Sequence, residues 1–223
     1  MSYTLVIGNK NYSSWSLRPW LLMKHLQLNF TEVKVPLYQA DTKQQLLQHS
    51  PVGQVPVLKT QDTAIWDSLA ICEYLTEQHG NGWPEDSTQR ALARAISCEM
   101  HSGFSQIRSL LPMNCRLRIA VTLESEPLKL EIERVLSIWK TQRQQHGDAG
   151  DFLFGGFSVA DCMYAPVVLR FESYGIPVEQ IHRDYMDAIL ALPAMQVWIA
   201  EGIQENEVIS ASEIYADTEE VII

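Results

Sequence analysis

A chain of 223 residues, 46% of them hydrophobic, has enough apolar material for one large domain or two small ones with a full core. Its formal net charge of −10 argues against a nucleic-acid surface, because phosphate contacts need clustered Lys and Arg. No apolar run approaches the roughly 20 residues of a bilayer-spanning helix, and the first residues lack a basic stretch leading into an apolar one, so neither membrane insertion nor secretion is expected.

In chain order, residues 3–8 are apolar and β-branched and predict a buried strand. A polar turn over 9–14 leads into a helix from about 15 to 26. Pro19 falls in its first turns, where a missing amide costs least, if the helix starts near Ser16. Ser13 and Ser14 stand at the helix entry, suited either to N-capping or to meeting an anion on the helix dipole. Arg18, one turn in, reads as an ordinary surface or interdomain salt bridge. Residues 30–35 alternate and predict a second strand, and 41–49 predict a short helix or ordered loop.

The centre of the chain is Gly53-Gln54-Val55-Pro56-Val57-Leu58, followed by Asp67-Ser68-Leu69-Ala70-Ile71-Cys72-Glu73-Tyr74-Leu75. Strands over 55–59 and 63–66 form a hairpin around Gln61-Asp62, and a helix runs from 67 to 79. Val55-Pro56 is a candidate cis peptide, which would turn the Val55 N–H and C=O outward. Asp67, Ser68 and the free helix amides then offer a site for an extended, carboxylate-bearing peptide.

Residues 80–86 combine glycine, proline and acids and divide the chain at about 82. Beyond them Leu92, Ile96, Met100, Gly103, Ile107 and Leu111 describe one stripe on a single long helix. A second amphipathic helix covers 128–139, and 142–150 is a polar loop. Ser158 with Asp161 is a capping box, and Phe157 with Cys162 has hydrophobic-staple spacing, so Asp161 is a cap and not a catalytic acid. Pro166 should kink the helix that follows. Helical segments near 177–191 and 193–201 precede an acidic end, 213–220. Cys72, Cys98, Cys115 and Cys162 form no Cys-x-x-Cys, which suits free thiols in a reducing cytoplasm, and no metal site is expected.

Gln54-Val55-Pro56-Val57-Leu58 with Asp67 to Leu75, together with the 152–168 segment, resembles the cytosolic glutathione S-transferases, the zeta class in particular. The resemblance implies an α/β thioredoxin-like domain over 1–81 and an all-α bundle over 88–223. It implies glutathione as co-substrate, gripped by Gln54, Val55, Pro56, Asp67 and Ser68; Lys43 is the best-placed cation for the glycine carboxylate, but its stretch reads rather as solvated surface. A serine of the first loop would activate the thiol. Ser14 is the first candidate, Ser13 the second and Tyr12 an outside one, while an ungapped match sets Asn11 on the usual serine and Ser13 on a family cysteine. Tyr12, Ser105 and Arg108 would line the pocket of a small electrophile, with Arg108 and Arg116 suited to an anionic one. The implied activity is thiolate addition. A cis-trans isomerase of the maleylacetoacetate type and a non-catalytic glutathione binder are the alternatives. Family members are usually homodimers.

Overall fold

The computed structural model describes residues 2–215 and 221–223; of the acidic end, 216–220 lie outside the described residues. Strand β1 (Tyr3–Ile7) leads through the polar turn to helix α1 (Ser14–His25) and back to β2 (Phe30–Lys34), which pairs parallel with β1. Helix α2 (Thr42–Leu47) precedes the hairpin of β3 (Val57–Lys59) and β4 (Ala64–Trp66), and α3 (Ser68–His79) closes the unit. The sheet order is β2-β1-β3-β4, with β3 antiparallel to β1. Leu5, Val6 and Ile7 are fully buried in the central strand, as a near-continuous apolar run requires.

The second half is α4 (Ser87–Ser102), α5 (Ser105–Leu110), the short β5 (Val121–Thr122), α6 (Glu126–His146), α7 (Val159–Ser173), α8 (Gln180–Ala191), α9 (Pro193–Gln204) and β6 (Val221–Ile222), which pairs with β5. Helix α1 packs on both α3 and α7, so one hydrophobic core runs through both halves. Trp20 of α1 meets Trp198 of α9 edge to face, ring centroids 5.1 Å apart.

Three expectations about the helices need correction. One is the polar loop over 142–150, since α6 runs on through its first residues to His146. The stripe of residues 92–111 is not one helix: α4 stops at Ser102, and Phe104 takes a left-handed φ of 58° before α5 begins. The apolar period survives the break because Met100, Phe104, Ile107 and Leu111 all stay buried, whereas Leu92 is exposed. Periodicity registers which side faces the core and is blind to a local change of axis. Helix α1 starts at Ser14, so Pro19 lies in its interior, where it removes the amide that would have met the Trp15 carbonyl. Pro166 likewise sits inside α7, which spans 159–173.

Asp161 anchors the start of α7. Its carboxylate accepts from the Leu153 amide at 3.0 Å, the Ser158 amide at 2.8 Å and the Ser158 hydroxyl at 3.0 Å. Burial pushes the carboxyl up to about 6 against the opposing pull of these donors. Replacing Asp161 with Ala strands two buried amides, each worth about 1–3 kcal/mol. Thermal unfolding of Asp161→Ala is expected to show a midpoint lower by roughly 6–12 °C.

Candidate active site

Loop 9–13 is tied to the helical half before it delivers its serines to α1. The amides of Lys10 and Asn11 donate to the two carboxylate oxygens of Glu205, at 3.0 and 3.1 Å. The Asn11 side chain donates to Asn114 Oδ1 at 3.0 Å and accepts from the Arg116 amide at 3.2 Å. Asn11, the residue aligned with the usual serine, is thus fully buried and spent on the domain junction.

The three hydroxyls that follow differ in what they are free to do. Tyr12 donates to Glu213 Oε1 at 2.5 Å and accepts from the Arg116 guanidinium. Burial, and then the bond to Glu213, push its phenol above the usual tyrosine range. Ser13 donates to Ser16 Oγ at 2.7 Å, and Ser16 in turn accepts from the Gly8 amide. No described residue hydrogen-bonds the Ser14 hydroxyl, which faces a cavity of about 240 Å3 at the N-terminus of α1. Trp15, Arg108, Met113 and Arg170 line the same cavity, as do Tyr12 and Ser13.

An adjoining groove of about 820 Å3 is lined by Gln54, Val55, Pro56, Asp67 and Ser68, with Lys43, Trp66 and Trp15. Trp15, Tyr38 and Val55 border both spaces. Val55-Pro56 is cis, and neither the amide nor the carbonyl of Val55 bonds a described residue. Lys43 lies over Gly53, whose φ of +57° no other residue type adopts as cheaply, and donates to the Val52 carbonyl at 2.8 Å.

Asp67 sits at φ 72° and caps α3, accepting from the Leu69 and Ala70 amides at 2.9 and 3.1 Å. Its second oxygen is 2.6 Å from Nε2 of His101, which reaches over from α4. Ser68, 1% exposed, accepts from the Arg18 guanidinium at 3.4 Å.

The structure therefore gathers the expected glutathione residues in one groove and Tyr12, Ser13, Ser14 and Arg108 beside it. Ser105 is exposed on α5 and lines neither space. Arg108 borders the smaller cavity, but its guanidinium donates to the carbonyls of Met100, His101 and Gly103, capping the end of α4. Arg116 is taken up by the Glu205 and Glu207 carbonyls and Tyr12.

Arg18 is not the ordinary salt bridge that its sequence position suggested. It is buried, stacks 4.2 Å from the Trp15 ring, and has no carboxylate partner among the described residues. Arg170, which sequence reasoning passed over, is 5% exposed and donates to the Leu111 carbonyl at 2.6 Å. Its signal was there to read: one arginine inside the apolar run of residues 159–171. Burial, with repulsion among Arg18, Arg108 and Arg170, lowers Arg18 to about 9; burial lowers Arg170 to about 10. Among the described residues no set of His, Cys, Asp and Glu converges as metal ligands, and no single helix is long and apolar enough to cross a membrane.

A thioredoxin-like sheet joined to a helical bundle, with a groove along a cis-proline turn, defines a glutathione-transferase architecture. The family model for the glutathione S-transferase N-terminal domain matches residues 12–78. A Caenorhabditis elegans protein named "Probable maleylacetoacetate isomerase" is 34% identical over 166 residues, covering 73% of this chain and 76% of that one. The rat maleylacetoacetate isomerase is 27% identical, covering 82% and 86%. Among solved structures, a Burkholderia glutathione transferase homologue with bound glutathione superposes with a TM-score of 0.69 at 24% identity, covering 91% of this chain and 98% of its own. The zeta-class maleyl pyruvate isomerase gives 0.69 at 18% identity, covering 93% and 100%. The chain belongs to the glutathione S-transferase family, as a zeta-like member.

The backbone at Asp67 generates a test. Both Asp67→Ala and Asp67→Gly lose the cap and the His101 contact, but only glycine relaxes at a positive φ. Asp67→Gly is expected to melt about 2–4 °C above Asp67→Ala, reversing the usual order for these two residues. Differential scanning calorimetry of the pair reads the difference.

Proposed function

We propose that this protein lowers the thiol pKa of bound glutathione with Ser14 and adds the resulting thiolate to a small electrophile. The tripeptide lies extended along Val55, whose free amide and carbonyl pair with it as a neighbouring strand would. Its γ-glutamyl end meets Ser68 and the amides opening α3, with Asp67 beside it, and Gln54 stands by the cysteinyl portion. The sulfur then falls at the passage between the two cavities, next to Ser14. A hydroxyl donated to sulfur favours thiolate over thiol, and the positive end of α1 adds to that preference. The thiol proton leaves to solvent, the sulfur lone pair forms the C–S bond, and the electrophile's leaving group or developing carbanion takes the displaced electrons.

The observation that carries this reading is the Ser14 hydroxyl: it borders the cavity without a partner, while Ser13 and Tyr12 are already engaged. Arg108 and Arg170 at the second cavity suit an electrophile that carries negative charge. The second reading is the isomerase: thiolate adds to a cis double bond, the bond rotates, and the thiolate leaves unchanged. The two curated relatives named for that activity favour it; the Ser13 that stands at the zeta cysteine position counts against it. The reading also has two copies of the chain associating about a two-fold axis in the cytoplasm.

Steady-state conjugation to a panel of electrophiles tests the role of Ser14. Ser14→Ala is expected to lower kcat by about 10²-fold with little change in glutathione KM, and to abolish the thiolate absorbance of the bound complex in the ultraviolet. Ser13→Ala and Tyr12→Phe are expected to stay within about fivefold. Full activity in Ser14→Ala would remove that hydroxyl from the mechanism. Cis-to-trans conversion of an unsaturated diacid without net glutathione consumption would select the isomerase.

A further inference from the structure

Arg18 is a cation the fold buries without balancing. It is 1% exposed, its Nε has no hydrogen-bond partner, and one terminal nitrogen donates to Ser68 Oγ at 3.4 Å. The charges around it make matters worse: Arg108 and Arg170 repel it. Cys72, on the adjoining α3, supplies no anion, since burial raises its thiol far above the usual range. Asp67, whose charge acts on it without contact, has its oxygens taken by the α3 amides and His101. Desolvating a guanidinium that has no carboxylate partner destabilises the empty protein. Such a residue is accounted for when the missing anion arrives with the ligand.

The place for that anion is set by Ser68. This serine opens the twelve-residue helix α3 and lines the larger groove, directly in front of Arg18. A serine hydroxyl has one proton to donate and two lone pairs to accept with. When Arg18 fills a lone pair from behind, the proton is left to point into the groove. The helix N-terminus adds unpaired amides of the same polarity.

We propose that Arg18 is a positioning residue for the α-carboxylate of the γ-glutamyl group: it turns the Ser68 hydroxyl toward that carboxylate and balances its charge from behind. The inference rests on the glutathione reading above. It adds a specificity determinant that touches no ligand atom and that looks in sequence like an ordinary surface arginine. It also gives a reason for the Trp15 ring 4.2 Å from the guanidinium, since the ring shields the cation from water that would otherwise screen it.

The test pairs a truncated ligand with a truncated side chain. Calorimetry compares glutathione with 4-aminobutanoyl-cysteinyl-glycine, the same tripeptide lacking only the γ-glutamyl α-carboxylate. The wild-type protein is expected to prefer glutathione by at least tenfold, the range of a hydrogen bond to a charged group. In Arg18→Met, or in Arg18→Gln should the first variant not fold, the preference is expected to fall below about threefold, with kcat at saturating glutathione unchanged. Arg18→Lys, which restores the charge, is expected to recover a preference above about fivefold. Undiminished preference in both neutral variants overturns the inference while leaving the glutathione reading intact, and so does a wild type that binds both tripeptides equally. A wild type that binds neither overturns the glutathione reading itself.

Discussion

The turn between β1 and α1 is held by the other half of the molecule. Glu205 accepts from two successive amides of that turn, Asn11 and Asn114 lock side chain to side chain, and Arg116 closes over Tyr12. Backbone buried at a junction needs partners for its donors and acceptors, and here they come from segments about a hundred and two hundred residues away. The consequence is positional. With the Tyr12 and Ser13 hydroxyls engaged, the Ser14 hydroxyl meets no described residue and stands at the edge of a cavity on a backbone tied to the helical half. Preorganised donors of this kind stabilise developing charge without reorganisation cost.

The electrostatics of the chain and of its cleft have opposite sign. The molecule as a whole carries a formal −10, yet Arg18 and Arg108 both sit over the Trp15 ring, and Arg108 and Arg170 line the smaller cavity. Carboxylates elsewhere are paired on the surface, as Glu99 is with Arg134 and Glu73 with Arg94, where solvent weakens what they contribute. Inside the cleft low dielectric strengthens each charge, a field that suits an anionic ligand. Arg108 and Arg170 do double service there. Each holds backbone carbonyls in place, at the ends of α4 and α5, while facing the other with its charge.

Much of this was legible before any coordinates. The apolar run of β1, the alternation of β2, the Val55-Pro56 turn and the Asp67-Ser68 helix start are local signals, and local physics decided them. Asp161 was readable as a cap because a side chain reaching back three residues is a short-range event. The break at Gly103-Phe104 was not, since an apolar stripe continues across a change of axis as long as the same side stays buried. The choice among Tyr12, Ser13 and Ser14 depended on which hydroxyls were already bonded, and the partners of Tyr12 sit at 116 and 213. Arg18 failed for the same reason. Its burial is completed by α3 and α7, which pack on α1 from distant parts of the chain, and the neighbouring Trp15 alone does not announce that enclosure.

The account stands on the Ser14 hydroxyl, which no described residue bonds, at the start of α1. A crystal structure of the protein with glutathione measures it directly. The sulfur should lie within about 3.5 Å of Ser14 Oγ, with the cysteinyl amide and carbonyl paired to Val55. A sulfur seated instead on Tyr12 or Ser13, or a groove left empty at millimolar glutathione, would contradict it.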